Sequence, residues 1–149
     1  MTFPKPAKRG PKAPKRIKRT RLVQRSARIT KKSLATLRKK LIKKADAICG
    51  TVVRARGACE ACGSTEILQW AHGYGRRHLR TRWSTWFTFC LCRRCHCKFT
   101  KHWELWVAWM LDKLGHDMFL KMQADALRAD PITNDEIQEI IEKLERMNA

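Results

Sequence analysis

The sequence predicts a mostly helical α+β chain: two short strands and a helix stapled by a four-cysteine metal site, with a long helix before them and further helices after. Three observations carry this. Two C-x2-C pairs, Cys59 with Cys62 and Cys92 with Cys95, leave 29 residues between Cys62 and Cys92. Short aromatic and β-branched runs adjoin each pair, as strands do. Elsewhere apolar residues recur at steps of three and four, the helical period.

Four segments follow in order. Residues 1–30 read as a disordered basic arm, because "MTFPKPAKRGPKAPKRIKRTR" combines four prolines with a dense run of like charge and little to bury. Residues 31–56 read as a basic amphipathic helix, with Leu34, Leu37, Leu41, Ala45, Ile48, Val52 and Ala55 on one face and Gly50 as a place where it could break. Residues 57–115 hold the metal-stapled core: the knuckle "GACEACGS", a strand in "EILQWAH", a polar loop "GYGRRHLRTR", a strand in "WSTWFTFCL" and a helix from "CRRCHC" to Gly115. Within that helix Phe99, Trp103, Trp106, Val107, Met110 and Leu114 form one stripe, which places Trp103 and Trp106 in the core. Residues 116–149 read as a helical tail, with a helix near 116–128 and a last one opened by the capping box Thr133 and Glu136.

The chain of 149 residues has room for about one domain. No window reaches the roughly 18 apolar residues of a membrane span, and the basic N-terminus lacks an apolar secretion segment, so the expected location is the cytoplasm. Seven cysteines, an odd number clustered at C-x2-C spacing, fit metal ligation in a reducing compartment better than disulfides.

The net charge of +20 is unevenly spread: residues 1–44 hold 18 Lys or Arg and no acid, whereas residues 103–149 hold 5 basic and 10 acidic residues. Such a distribution favours a polyanion, since each neutralised phosphate releases a condensed counterion. Nucleic acid is therefore the expected partner. Lys12, Lys15, Arg16, Lys18, Arg19 and Arg21 of the arm would grip phosphate without sequence choice.

Zn²⁺ prefers tetrahedral thiolate ligands, and Cys59, Cys62, Cys92 and Cys95 supply four. Cys90 and Cys97 are then expected to pack as small apolar residues, and Cys49 carries no functional signal. With the four ligands assigned, His96 is free for other chemistry. His72 closes the first strand, and a fold of two strands and a helix can bring the two imidazoles across a small cleft, one as general base and one as metal ligand.

At this point "CEACG…LQWAHGYGRR…TRWSTWFTFCLCRRCH" resembles the HNH, or ββα-metal (His-Me finger), nucleases of the zinc-knuckle type, and most of all the phage NinG (Rap) recombination endonucleases; phage endonuclease VII resolvases share the four-cysteine arrangement. The resemblance spans roughly residues 31–145. It implies a ββα-metal core and metal-dependent cleavage of branched DNA, such as Holliday junctions or D-loops, in a host cytoplasm. By position, His72 matches the general base and His96 the ligand of a catalytic Mg²⁺ or Mn²⁺. Two departures stand out: Ala71 replaces the Asp common beside the first histidine, and Phe87 stands where the middle Asn of the motif usually lies. The rival expectation is therefore a zinc-stabilised DNA- or RNA-binding protein with little or no catalysis.

Hydrolysis needs an activated water and a neutralised leaving oxygen, roles that a neutral His72 and a divalent ion on His96 would fill. Arg76 and Arg77, close in sequence to His72, are the candidates to brace the scissile phosphate. Arg80, Arg82, Arg93, Arg94 and Lys98 are expected to contact the DNA backbone. His78 and His102 are reserve metal ligands, and Trp83 or Trp86 a wedge for a junction. The run Ile137, Ile140, Ile141 and Leu144 could cap the core or pair two subunits, and a homodimer would suit the two-fold arms of a junction.

Overall fold

A computed structural model describes residues 21–148, with side chains from residue 30 onward. The expected arm contacts at Lys12, Lys15, Arg16, Lys18 and Arg19 lie outside the described residues, and of Arg21 only its backbone is described. The chain divides into two units, residues 1–34 and 35–149. In the first, the described residues are helical.

Six helices and two strands make up the described residues: α1 (Arg21–Arg54), β1 (Leu68–His72), α2 (Leu79–Arg82), β2 (Thr88–Cys92), α3 (Arg93–Lys101), α4 (Trp103–Leu114), α5 (His116–Leu127) and α6 (Asn134–Asn148). The mostly helical α+β class is as expected. α1 starts at Arg21 rather than Lys31, which shortens the expected arm, because charge without proline does not bar a helix. Gly50 does not break α1: a Cβ there would lie 3.4 Å from Trp70, so glycine admits the first strand against the helix.

β1 and β2 pair antiparallel, from Leu68 opposite Cys92 to His72 opposite Thr88. Side chains alternate across such a ladder, and here both faces are covered. Leu68, Trp70 and Cys90 pack on Ala45, Cys49 and Val53 of α1 and Ile137, Ile141 and Leu144 of α6. Ala71, Phe89 and Leu91 pack on Met110 of α4 and Phe119 and Met122 of α5. This burial explains why every residue of β2 is buried. It also explains why the two-stranded sheet persists: an isolated hairpin is marginal in water.

The α6 capping box forms as expected, with Glu136 N–H donating to Thr133 Oγ1 at 3.1 Å and Thr133 N–H to the Glu136 carboxylate at 2.6 Å. Ile137, Ile141 and Leu144 are buried within the chain, so of the two roles expected of this stripe it fills that of capping the core.

The other corrections come from context that a period cannot carry. The helix after the second knuckle stops at His102 and restarts, and Trp103, expected in the core, is 71% exposed. The polar loop contains α2, whose last turn buries Trp83 against Asp46 at 2.7 Å and removes it as a wedge, while Trp86 stays exposed. Cys90 is buried as expected; Cys97, expected to pack, is exposed.

Candidate metal centre and histidine cavity

The first knuckle is a tight turn: Cys59 N–H donates to Ser64 O and Gly63 N–H to Cys59 O, both at 2.8 Å. Glu60 then pins it to β2, its N–H donating to Cys90 O at 2.8 Å and its carboxylate accepting Cys90 N–H at 2.9 Å. That contact covers the outer edge of β2, which would otherwise expose unpaired backbone groups. Arg56 adds a fork, donating to Glu60, to Thr88 O and to Thr85 O. Burial pushes the Glu60 carboxyl upward, but the Cys90 N–H and Arg56 outweigh it and hold it below the usual range.

The second knuckle opens α3. Cys92 is the N-cap, and its sulfur accepts Cys95 N–H at 3.4 Å. The four sulfurs of Cys59, Cys62, Cys92 and Cys95 lie within 4.8 Å of one another, a cluster that could hold a metal ion. Cys62 Sγ and Cys92 Sγ are 3.7 Å apart. A tetrahedral ion with Zn–S bonds of about 2.3 Å needs sulfurs about 3.8 Å apart, so the donor set fits zinc in chemistry and in size. Among the described residues it is the one such group of three or more His, Cys, Asp or Glu side chains.

Beside it lies a cavity of about 100 Å³ lined by Ala71, His72, Leu91, His96, Phe99, Thr100 and Trp106. The two histidines expected to cooperate therefore share one cavity. His72 comes from the end of β1 and His96 from the second turn of α3, which the cysteine cluster brings together. Phe87 has no side-chain group to hold the histidine turn, and the backbone does so instead. Gly73 N–H donates to Phe87 O at 2.8 Å, extending the ladder past His72, and Gly73 O accepts from Trp106 Nε1 at 3.3 Å. A Cβ on residue 73 would come within 2.6 Å of Met122 Sδ and 2.8 Å of Phe87 O, so this close approach requires glycine.

Burial, with the charges of Arg76 and Arg82, pushes the His72 ring down to about 4, Asp46 opposing and His96 adding to the fall. The ring is neutral at pH 7. Its Nε2 is buried without a hydrogen-bond partner among the described residues, and the ring packs on Trp70 with centroids 4.2 Å apart. His96 is pushed down by burial and by Arg76. Its Nδ1 lies 2.7 Å from Gln69 Oε1. An amide oxygen only accepts, so Nδ1 carries the hydrogen and Nε2 keeps its lone pair. Gln69 was absent from the expected site; its position on β1 two residues before Ala71, and so on the same face, was the available signal.

The expected phosphate-binding cations divide into two sets. Arg82 forks onto Asp46 at 2.6 and 2.8 Å and also donates to Arg76 O. Arg80 binds Asp130 and, at 3.1 Å, Glu136. Both are structural ion pairs, a correction to their expected place on DNA. Arg77 Nε donates to His78 Nε2 at 3.0 Å, and His78 Nδ1 faces Ala126 O at 2.8 Å, so His78 is not a spare metal ligand. His102 faces Glu104 instead of the cavity. Arg76, Arg93, Arg94, Lys98 and Lys101 are exposed and form no ion pair among the described residues.

No family model matches the chain, and comparison with curated proteins and with solved structures finds no significant match. No described helix is long and apolar enough to cross a membrane.

Proposed function

We propose that the protein is a structure-selective DNA endonuclease that hydrolyses phosphodiesters in branched recombination intermediates such as Holliday junctions and D-loops, with Zn²⁺ on its four cysteines as a structural staple. One observation carries this reading: His72, neutral and with an unpartnered Nε2, shares a cavity with His96, whose Nε2 is left open by Gln69.

In this reading His72 takes a proton from the attacking water as its oxygen bonds to phosphorus, and the P–O3′ bond breaks; a solvent water protonates the departing O3′, leaving a 5′-phosphate and a 3′-hydroxyl. A base pushed down to about 4 is weak, yet a phosphate anion beside it offsets the charges of Arg76 and Arg82 and raises its basicity on substrate binding. Arg76, exposed and unpaired, braces the phosphate. Arg77 is the weaker candidate for that role because it already donates to His78. Arg93, Arg94 and Lys98 hold the DNA backbone.

With His72 kept as the base, the cavity offers the His96 imidazole, the Thr100 hydroxyl and, at Ala71, no carboxylate, so it suits Mn²⁺, for which imidazole is an acceptable ligand, better than Mg²⁺, which seeks oxygen. His96 would hold the ion, with phosphate and water completing its shell; when bound, it supplies positive charge to the leaving oxygen. The poverty of that donor set favours a second reading, a zinc-stabilised DNA- or RNA-binding protein that does not cut.

Incubation of a four-way junction and a linear duplex of equal length with Mn²⁺ or Mg²⁺ separates the two. The nuclease reading expects nicks in the junction, faster in Mn²⁺ and faster than in the duplex. Binding without nicks in either ion supports the second reading.

A further inference from the structure

α3 leads into an indole that helical periodicity assigns to the core and the fold leaves in water. The backbone of His102 departs from helix, with φ −125° and ψ 80°, and α4 restarts out of phase with Trp103 in its first turn. Trp106, three residues on, packs against Phe89, Phe99 and Trp109, while Trp103 is 71% exposed.

What precedes this indole is a helix with no acid. α3 carries Arg93, Arg94, Lys98 and Lys101, all exposed and without ion pairs among the described residues. Arg94, Lys98 and Lys101 follow at steps of four and three, hence on one face over about 10 Å. His96 projects from the same helix into the histidine cavity.

We propose that this face is a track for an unpaired DNA strand, with phosphates on Arg94, Lys98 and Lys101 and one nucleobase stacked on Trp103. The proposal rests on the nuclease reading for its choice of DNA, and it names the feature gripped in one of those substrates: the displaced single strand of a D-loop. Cations that track a backbone beside an aromatic platform are what sequence-tolerant single-strand binding requires. Trp86, 70% exposed, lacks that setting: it lines a groove with Arg80, Lys143 and Met147, and Arg80 is occupied by Asp130 and Glu136. It serves as the control.

The test is fluorescence anisotropy on the full chain with no added divalent ion, using a labelled duplex with a short oligothymidine tail and a blunt duplex of the same length. Trp103→Ala is expected to weaken binding of the tailed DNA by about 5- to 150-fold and to leave the blunt duplex nearly unchanged. Trp103→Tyr is expected to restore most of the loss, because a stacking face returns, and Trp86→Ala to change neither affinity. Thermal melts monitor folding, which an exposed side chain should not alter. The proposal is overturned if Trp103→Ala binds the tail like wild type, if it loses both DNAs equally, or if Trp103→Tyr binds the tail no better than Trp103→Ala. Cutting plays no part in the readout, so a failure of the nuclease reading and a failure of this one are separately visible.

Discussion

Two basic segments approach the histidine cavity, and they differ in what their charges do. The connection between the strands carries Arg76, Arg77, Arg80 and Arg82, and three of the four are engaged inside the chain. α3 carries Arg93, Arg94, Lys98 and Lys101, and none forms an ion pair among the described residues. In sequence the two look alike. The acids that bind Arg82 and Arg80 come from 36, 50 and 56 positions away, on α1, at Asp130 and on α6. The acidic tail is therefore in part the counter-charge of a distant loop, and net charge along a sequence does not say which cations are left for a polyanion.

The sharpest way to break this comparison is to remove an acid. Asp46→Ala takes the ion pair from Arg82 and the partner from the Trp83 indole N–H in a partly buried place, and should lower unfolding free energy by about 2–4 kcal/mol in urea titrations. If Arg82 were instead a DNA contact, the same change would mainly alter DNA affinity. Next in size is Gln69→Leu, which frees the His96 ring to rotate and change tautomer. It should weaken Mn²⁺ binding about tenfold or more, read by paramagnetic broadening of His96 resonances, with the thermal midpoint nearly unmoved.

Smaller again is Lys98→Ala. It should flatten the slope of log affinity against log salt by about 0.9, one phosphate contact, without loss of stability. Arg80→Ala should do the reverse, costing stability and keeping the slope. A pH dependence offers a separate test. His72 has its folded value lowered to about 4 from 6.5, so between these values the unfolded chain binds the extra proton. Stability from this group is fully present above about pH 6.5 and is lost as pH falls toward 4. His72→Asn should remove that part of the decline in melts run across this range.

The sequence was most legible where chemistry has a fixed spacing. The four cysteines, the capping box, both strands and the nearness of His72 to His96 could be read from it, because ligand geometry, orphan helix N–H groups and period-two burial each act over a few residues. What it concealed depends on distant partners. The break at His102 puts Trp103 in water although the apolar stripe runs on without interruption, and no local residue marks it as glycine or proline would. Neither Ala71 nor Phe87 has a side-chain group that could hold the turn after His72, and the sequence could not reveal that Gly73 and Trp106 anchor it. Gln69 was hidden for the same reason: its partner lies on another element.

The most direct test of the account is the single-turnover rate at which a pre-bound four-way junction is nicked in Mn²⁺ by the wild-type chain and by His72→Ala. A general base in the shared cavity predicts a rate at least about 100-fold lower in the variant, with junction affinity unchanged. Equal rates in the two proteins, or a wild-type chain that holds the junction without nicking it, would contradict it.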